Sequence, residues 1–379
     1  MKMAWMIAWA AGTVSTCALA QVANNEVEAN ETKATATVAA SGGPGMASGD
    51  TINGTSTGSS TTVAGASSAD TFRVKTAQAA PGIYRHRLVL TTSGTAGHSG
   101  TILGLTQSAA GISTTSANFQ SSATTTTPAR MNQWYGFGKQ EEIFYRVSGV
   151  AATSAPYVAT LETTPVTPIS GPTVLPGTVV ISTIITGPTT GLVTDTDMWV
   201  YDGQFNAIPN FGNDDESVAN GGTGATLQSR LTREFTAGTY YLAVARWNLG
   251  NNLAAPADDD NRLGNVLDFP NAIATSGTGS PSTFALTING QAVPASTTDN
   301  FGIVWVRFVV EAPQVCDGID FNNNTVFPED QDVIDFFNVL AGEECPTCND
   351  IDFNNNGVFP EDQDVIDFFR VLAGGECPA

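Results

Sequence analysis

Long apolar runs are missing from this chain, and bases and histidines nearly so. Lysine and arginine together number 15 of 379 residues and histidine 2, against 36 acids, for a formal net charge of −21. Such a surface repels phosphate backbones and anionic headgroups, which argues against a nucleic-acid partner. Beyond the first twenty residues no apolar stretch approaches the ~20 residues of a membrane-spanning helix, so no membrane insertion is expected. His86 and His98 fall on a predicted strand and in a glycine-rich loop, and neither has a Cys or carboxylate set beside it. Metal hydrolysis and nucleophile–base chemistry therefore lack their usual parts. Gly54-Thr55-Ser56-Thr57-Gly58 has the spelling of a G-x-S-x-G elbow, but it lacks the strand-to-helix setting that exposes a nucleophile. No enzyme is expected. Helical periodicity is also missing until the last sixty or so residues.

What is present is an address, a β-rich body and an acidic tail. Met1-Lys2, the apolar run Met3 to Ala11 and the small-residue site Ala18-Leu19-Ala20 read as a secretory signal peptide, residues 1–20, cleaved after Ala20. A lipoprotein signal using Cys17 is the alternative, although Val14-Ser15-Thr16 fits it poorly. The expected location is extracellular or at the cell surface. Residues 21–48, polar and glycine-rich, read as a flexible leader. From Gly49, short runs such as Thr71-Phe72-Arg73-Val74-Lys75, Ile83 to Leu90 and Glu142 to Val147 alternate apolar with polar residues. Gly, Ser and Asn clusters separate them, which is the pattern of antiparallel sandwiches. Thr163 to Pro168, with two prolines, reads as a stiff joint. The expected fold is mainly β: one sandwich over 49–165, a second over 166–312, and a small α-helical module over 313–379.

The second half carries Asp195-x-Asp197-Met198-Trp199-Val200-Tyr201-Asp202-Gly203, then Asn213 to Glu216, then Ala237-Gly238-Thr239-Tyr240-Tyr241-Leu242-Ala243-Val244. This run resembles the bacterial pre-peptidase C-terminal domain, a small β-sandwich appended to exported proteins and similar to collagen-binding modules that hold calcium. The resemblance implies an accessory, non-catalytic module, although no protease domain accompanies it. Asp195, Asp197, Asp202 and Asn213 to Glu216 could gather hard oxygen ligands for calcium. The plainer alternative is solubilising loop charge, and the same holds for Asp258 to Asn261. Trp134, Trp199, Trp247 and Trp305 could form a sugar-stacking platform or, more ordinarily, core.

The C-terminal block is a duplication. At an offset of 32 from Cys316, 26 of 31 aligned positions are identical, and the 64 residues from Cys316 to Ala379 hold a net charge of −14. In each copy oxygen side chains alternate as in a calcium loop: Asp320, Asn322 and Asn324, then Asp352, Asn354 and Asn356. Val326 and Val358 would offer backbone carbonyls. Gln331 and Gln363 stand where a closing acid is usual, so a loop one residue longer, closed by Asp332 and Asp364, is expected. A helix follows, with Val333, Phe336, Phe337 and Leu340 on its apolar face, Asp332 and Asp335 facing water, and Gly342 ending it. Four cysteines, Cys316, Cys345, Cys348 and Cys377, favour two disulfides over zinc, since no histidine lies near. Three pairings exist; Cys316–Cys345 with Cys348–Cys377 would give each copy its own bridge.

Two loop–helix units of this kind resemble a type I dockerin, and especially the cysteine-flanked repeats that end many exported proteins of planctomycete-type bacteria. The resemblance implies calcium and a protein receptor, cohesin-like or otherwise displayed on the cell surface. Thr325 stands where the second copy has the turn glycine Gly357, which puts strain on the first loop. The expected function is a secreted, non-catalytic, calcium-binding protein docked by its tail. The alternatives are a carbohydrate- or protein-binding sandwich whose tail is a cap, with polysaccharide a candidate ligand, and an unrecognised secreted hydrolase component.

Overall fold

The computed structural model describes residues 21–39, 43–56, 69–92, 98–108, 110–121, 130–149, 153–188, 191–259, 265–275, 282–294, 297–298, 300–311 and 315–377. The expected signal peptide and the Cys17 alternative lie outside them, as do Asp260, Asn261 and the end of the G-x-S-x-G run. The chain is mainly β, with two sandwiches followed by a small two-helix module.

The first sandwich is built from β1 (Ala23–Asn25), β2 (Thr37–Ala39), β3 (Thr51–Ser56), β4 (Ala69–Lys75), β5 (Ile83–Thr92), β6 (His98–Ser108), β7 (Gly111–Ser121), β8 (Arg130–Gly136), β9 (Glu142–Gly149) and β10 (Thr153–Val166). One sheet runs β1-β3-β10-β5-β8; the other contains β6-β9-β4-β2, with β7 paired to β6. Alternation sets the faces. On β9, Ile143, Tyr145 and Val147 are buried and meet Phe72, Val74, Leu88, Ile102 and Trp134 in one core.

Two expectations need correction here. Residues 21–48 are not a free leader: β1 lies parallel to β3 and β2 parallel to β4, and Asn30 accepts the Thr71 N–H at 2.7 Å. Each short strand covers an otherwise open sheet edge. The proline joint is also shorter than expected. Thr163 to Val166 continue β10, Pro165 lying opposite Tyr84, and the chain breaks only at Thr167-Pro168. Pro165 is tolerated because β10 has lost its other neighbour by then, its pairing with β3 ending at Thr160.

The second sandwich places β11 (Ile169–Val174), strand Ile303–Val310, β16 (Gly238–Arg246), β13 (Thr196–Tyr201) and β14 (Ala207–Asn213) in one sheet. Facing it are β15 (Arg230–Phe235), β12 (Gly177–Ser182) and the short strands Thr287–Ile288 and Gln291–Ala292. Val179, Ile181, Val200, Leu242 and Phe308 centre its core. The two sandwiches are fused. A third buried cluster joins Ile83, Tyr135 and Phe137 to Trp199, Tyr201 and Trp305, and Gln133 donates to the Phe301 carbonyl at 2.9 Å. Strand Asn265–Val266 crosses over to pair with β6.

In the tail, α1 (Asp330–Leu340) and α2 (Asp362–Leu372) pack through Phe336 and Phe368, stacked at 4.3 Å. Phe321 and Phe353, one residue into each loop, close on them edge-on at 5.2 Å. All four rings are fully buried. Gly342 and Gly374 take φ of +95° and +84° after the helices, the left-handed turn that ends them. The expected helix faces are partly wrong. Phe337 is 42% exposed, whereas Asp332 is fully buried as the third residue of its helix. The reason is the quartet: Phe321 and Phe353 take the space that Phe337 and Phe369 would otherwise fill.

Candidate metal centre

Each tail loop is wound by its own oxygens. Asp320 accepts the N–H groups of Asn324 and Thr325 at 3.0 and 2.8 Å, Asn322 accepts from Asn324 at 3.1 Å, and Asn324 accepts from Val326 at 2.7 Å. The second loop repeats this: Asp352 accepts from Asn356 and Gly357 at 2.9 and 2.8 Å, Asn354 from Asn356 at 3.1 Å, and Asn356 from Val358 at 2.7 Å. Val326 and Val358 keep their side chains in solvent. Asp332 sits beneath the first loop, accepting from the Asn322 and Glu329 N–H groups at 3.5 and 3.3 Å, and Asp364 does the same for Asn354 and Glu361 at 3.5 and 3.2 Å. Gln331, in contrast, is exposed and donates to Asp335 at 2.7 Å.

Sequence reasoning missed the supporting carboxylates. Asn322 donates its amide N–H to Asp335 at 3.0 Å, and Asn354 donates to Asp367 at 3.2 Å. Each amide is thereby turned so that its oxygen faces the loop interior, as outer partners orient metal ligands. The signal was available: Asp335 and Asp367 recur at the same offset from the loop in both copies.

The electrostatics suit a cation. Asp364 is raised above the usual carboxylate range by burial, and the nearby charges of Asp352 and Glu361 push it further, against two backbone hydrogen bonds that lower it. In the second loop, then, Asp364, Asp352 and Glu361 hold like charge at close range, which an added positive charge would relieve.

The disulfides overturn the expected pairing. Cys316 bonds Cys377, and Cys345 bonds Cys348. The cause is an exchange of lead segments. The residues before each loop pack on the other copy: Asp317 donates its N–H to Phe353 and Asn349 donates to Phe321, at 2.8 and 2.9 Å. Asn355 reaches Val315 and Asp317, while Asn323 reaches Thr347 and Asn349. Each leading cysteine is thus delivered to the far end of the other copy.

In the second sandwich, carboxylate oxygens of Asp195, Asp214 and Asp215 lie within 4.8 Å of one another. The neighbouring acids do other work. Asp202 accepts from Gln204 and Asn206 in its own turn, at 2.9 and 2.8 Å. Asp197 accepts the Leu249 N–H at 2.7 Å, and Asp258 pairs twice with Arg233 at 2.7 Å. Burial would raise Glu216, but hydrogen bonds from Thr223, Ala225 and Thr226 hold it down to about 2. That carboxylate pins the 217–226 loop, and Gly222 is required there because a Cβ would fall 1.9 Å from it. A second triad, Glu26, Glu28 and Asp70, joins the supposed leader to β4, with Tyr157 donating to Asp70 at 2.7 Å. No tryptophan platform forms: Trp134, Trp199 and Trp305 are core, and Trp247 alone of the four is exposed. Comparison with protein-family models and with curated protein sequences gives no match.

Proposed function

We propose that this is an exported, non-catalytic protein that docks through its C-terminal module to a protein receptor, cohesin-like or on the cell surface, with calcium setting the two loops. One observation carries the reading. Val326, Phe327, Ile334 and Phe337 are 42–61% exposed, and Val358, Phe359, Ile366 and Phe369 are exposed to within a few per cent of the same degree. Large apolar side chains held in solvent at matching positions of a duplicated unit mark a surface awaiting a partner. Acids surround them, so the receptor would offer an apolar groove with a basic rim.

Calcium is the cation that the two oxygen-lined loops would take. Asp320, Asn322, Asn324, the Val326 carbonyl and Asp332 would hold one ion; Asp352, Asn354, Asn356, the Val358 carbonyl and Asp364 would hold the other. The ion would supply the positive charge that the loops lack. The Asp195–Asp214–Asp215 triad is a candidate third site, in keeping with the resemblance of that sandwich to calcium-holding modules.

The test is affinity capture of surface proteins on the full chain, in calcium and in chelator, beside the double variant Phe327→Ser/Phe359→Ser. A receptor retained only in calcium and lost by the variant supports docking. Capture indifferent to both treatments would leave the tail a cap.

A further inference from the structure

In the tail, the bonds between the two loop–helix units come in matched pairs. Asp317 and Asn349 donate their N–H groups to the Phe353 and Phe321 carbonyls at 2.8 and 2.9 Å. Asn355 and Asn323 return bonds to the side chains of Asp317 and Asn349, both at 3.0 Å. The same two amides reach the Val315 and Thr347 carbonyls at 2.9 and 2.8 Å. Both disulfides also run from one unit to the other, Cys316–Cys377 and Cys345–Cys348, with Cα separations of 5.5 and 5.3 Å. Neither unit has a core of its own, because the buried quartet takes Phe321 and Phe336 from the first and Phe353 and Phe368 from the second.

Each unit therefore needs a partner unit, and the contacts do not record which chain supplies it. The two sequences differ at this junction only in Asp317 and Asn349, and each offers the same carbonyl-type oxygen to the opposing amide. Gly318/Asp350, Thr325/Gly357 and Glu343/Gly375 are exposed differences, and Arg370, which replaces Asn338, turns to Asp367 of its own helix. What keeps the partners together is the exposed link Pro346-Thr347. A short link holds two modules at an effective concentration in the millimolar range, which a crowded second chain can match. Exchange of an identical element between chains costs little when it remakes the same contacts.

We infer that the tail takes a second copy of this chain as a partner, the two chains exchanging loop–helix units. In the exchanged pair, Cys345 of each chain bonds Cys348 of the other, and Cys316 of each bonds Cys377 of the other. Two chains hold four disulfides before and after, so exchange needs no net oxidant; a thiolate that attacks one sulfur is released when the last bond closes. The exchange brings together the same acids that closure within one chain does, so the tail's net charge of −14 does not oppose it further. It uses the buried faces of the units and leaves Phe327 and Phe359 in solvent.

The experiment mixes isotope-labelled and unlabelled full chains. Both are opened in dithiothreitol and chelator, then reoxidised in calcium with a glutathione buffer. Between about 1 µM and about 1 mM protein the interchain share should rise roughly tenfold or more. Mass mapping should show the peptide holding Cys345 and Cys348 as a dimer of one labelled and one unlabelled strand, and Cys316 of one isotope bonded to Cys377 of the other. Deleting Pro346 and Thr347 leaves one peptide unit, about 3.8 Å, to span the 5.3 Å between Cys345 and Cys348, so that chain should be a dimer even when dilute. The docking variant Phe327→Ser/Phe359→Ser should exchange as the native chain does, which separates this inference from receptor docking. Intrachain bonds alone at both concentrations, scrambled interchain pairs, a monomeric deletion chain, or a dimer lost in the docking variant would each overturn it.

Discussion

Thr325 and Gly357 occupy the same left-handed corner of the two loops, at φ +70° and +79°. Glycine takes that backbone freely, whereas a β-branched residue is strained in it by about 1–2 kcal/mol. The loop from Asp352 should therefore bind calcium about fivefold more tightly than the loop from Asp320. Thr325→Gly should narrow the gap and Gly357→Thr should weaken the second site; calorimetry on Asp320→Ala and Asp352→Ala chains isolates each. Equal affinities would mean that the ion does not need this corner. His86 offers a different residue-level test. Buried against Trp134, it is lowered by desolvation from 6.5 to about 4. The folded state keeps it neutral, so its contribution is complete above pH 6.5 and is lost as pH falls toward 4. The size is about 3 kcal/mol. In denaturant titrations, His86→Asn should flatten that part of the stability profile; an unchanged slope between pH 6.5 and 4 would refute the assignment.

Among the elements, the tail units make the sharpest prediction. Cys316–Cys377 spans 61 residues and Cys345–Cys348 only 3. On a chain-entropy view the first bond stabilises by about 4 kcal/mol and the second by about 1.5 kcal/mol. The double variant Cys316→Ser/Cys377→Ser should lower the tail's midpoint far more than Cys345→Ser/Cys348→Ser. Non-reducing mass mapping should recover a peptide holding Cys316 with Cys377. This pairing could not be read from the sequence, because near-identical copies make within-copy and between-copy bridges equally symmetric; only the exchange of Asp317 and Asn349 between loops decides it. The strands were legible where one face is buried, as on β9, where alternation records burial directly. β1 was not, since Ala23-Asn24-Asn25 pairs through its backbone and buries almost nothing. The turns wound by Asp320, Asn322 and Asn324 follow their alternate spacing. The burial of Asp332 was not legible, because helical periodicity does not register a side chain turned back to accept the Asn322 and Glu329 N–H groups.

At the scale of the molecule, the sandwiches should behave as one cooperative body. Trp305, 2% exposed, packs on Tyr135 and Phe137 of the first sandwich and Tyr201 of the second at 5.3–5.9 Å. Trp305→Ala should cost about 3–5 kcal/mol and shift both sandwiches together. Differential scanning calorimetry should give one transition for the body and a separate, calcium-dependent one for the tail; independent melting of the two sandwiches would contradict the shared core. The long disulfide adds a purely topological consequence. With Cys316 tied to Cys377, the module is a covalent ring. One peptide-bond cut releases no fragment, and one between Cys345 and Cys348 does not even open the ring, because their own disulfide bridges it. Two cuts are needed to shed either loop, and a pair that both fall between Cys345 and Cys348 still frees neither.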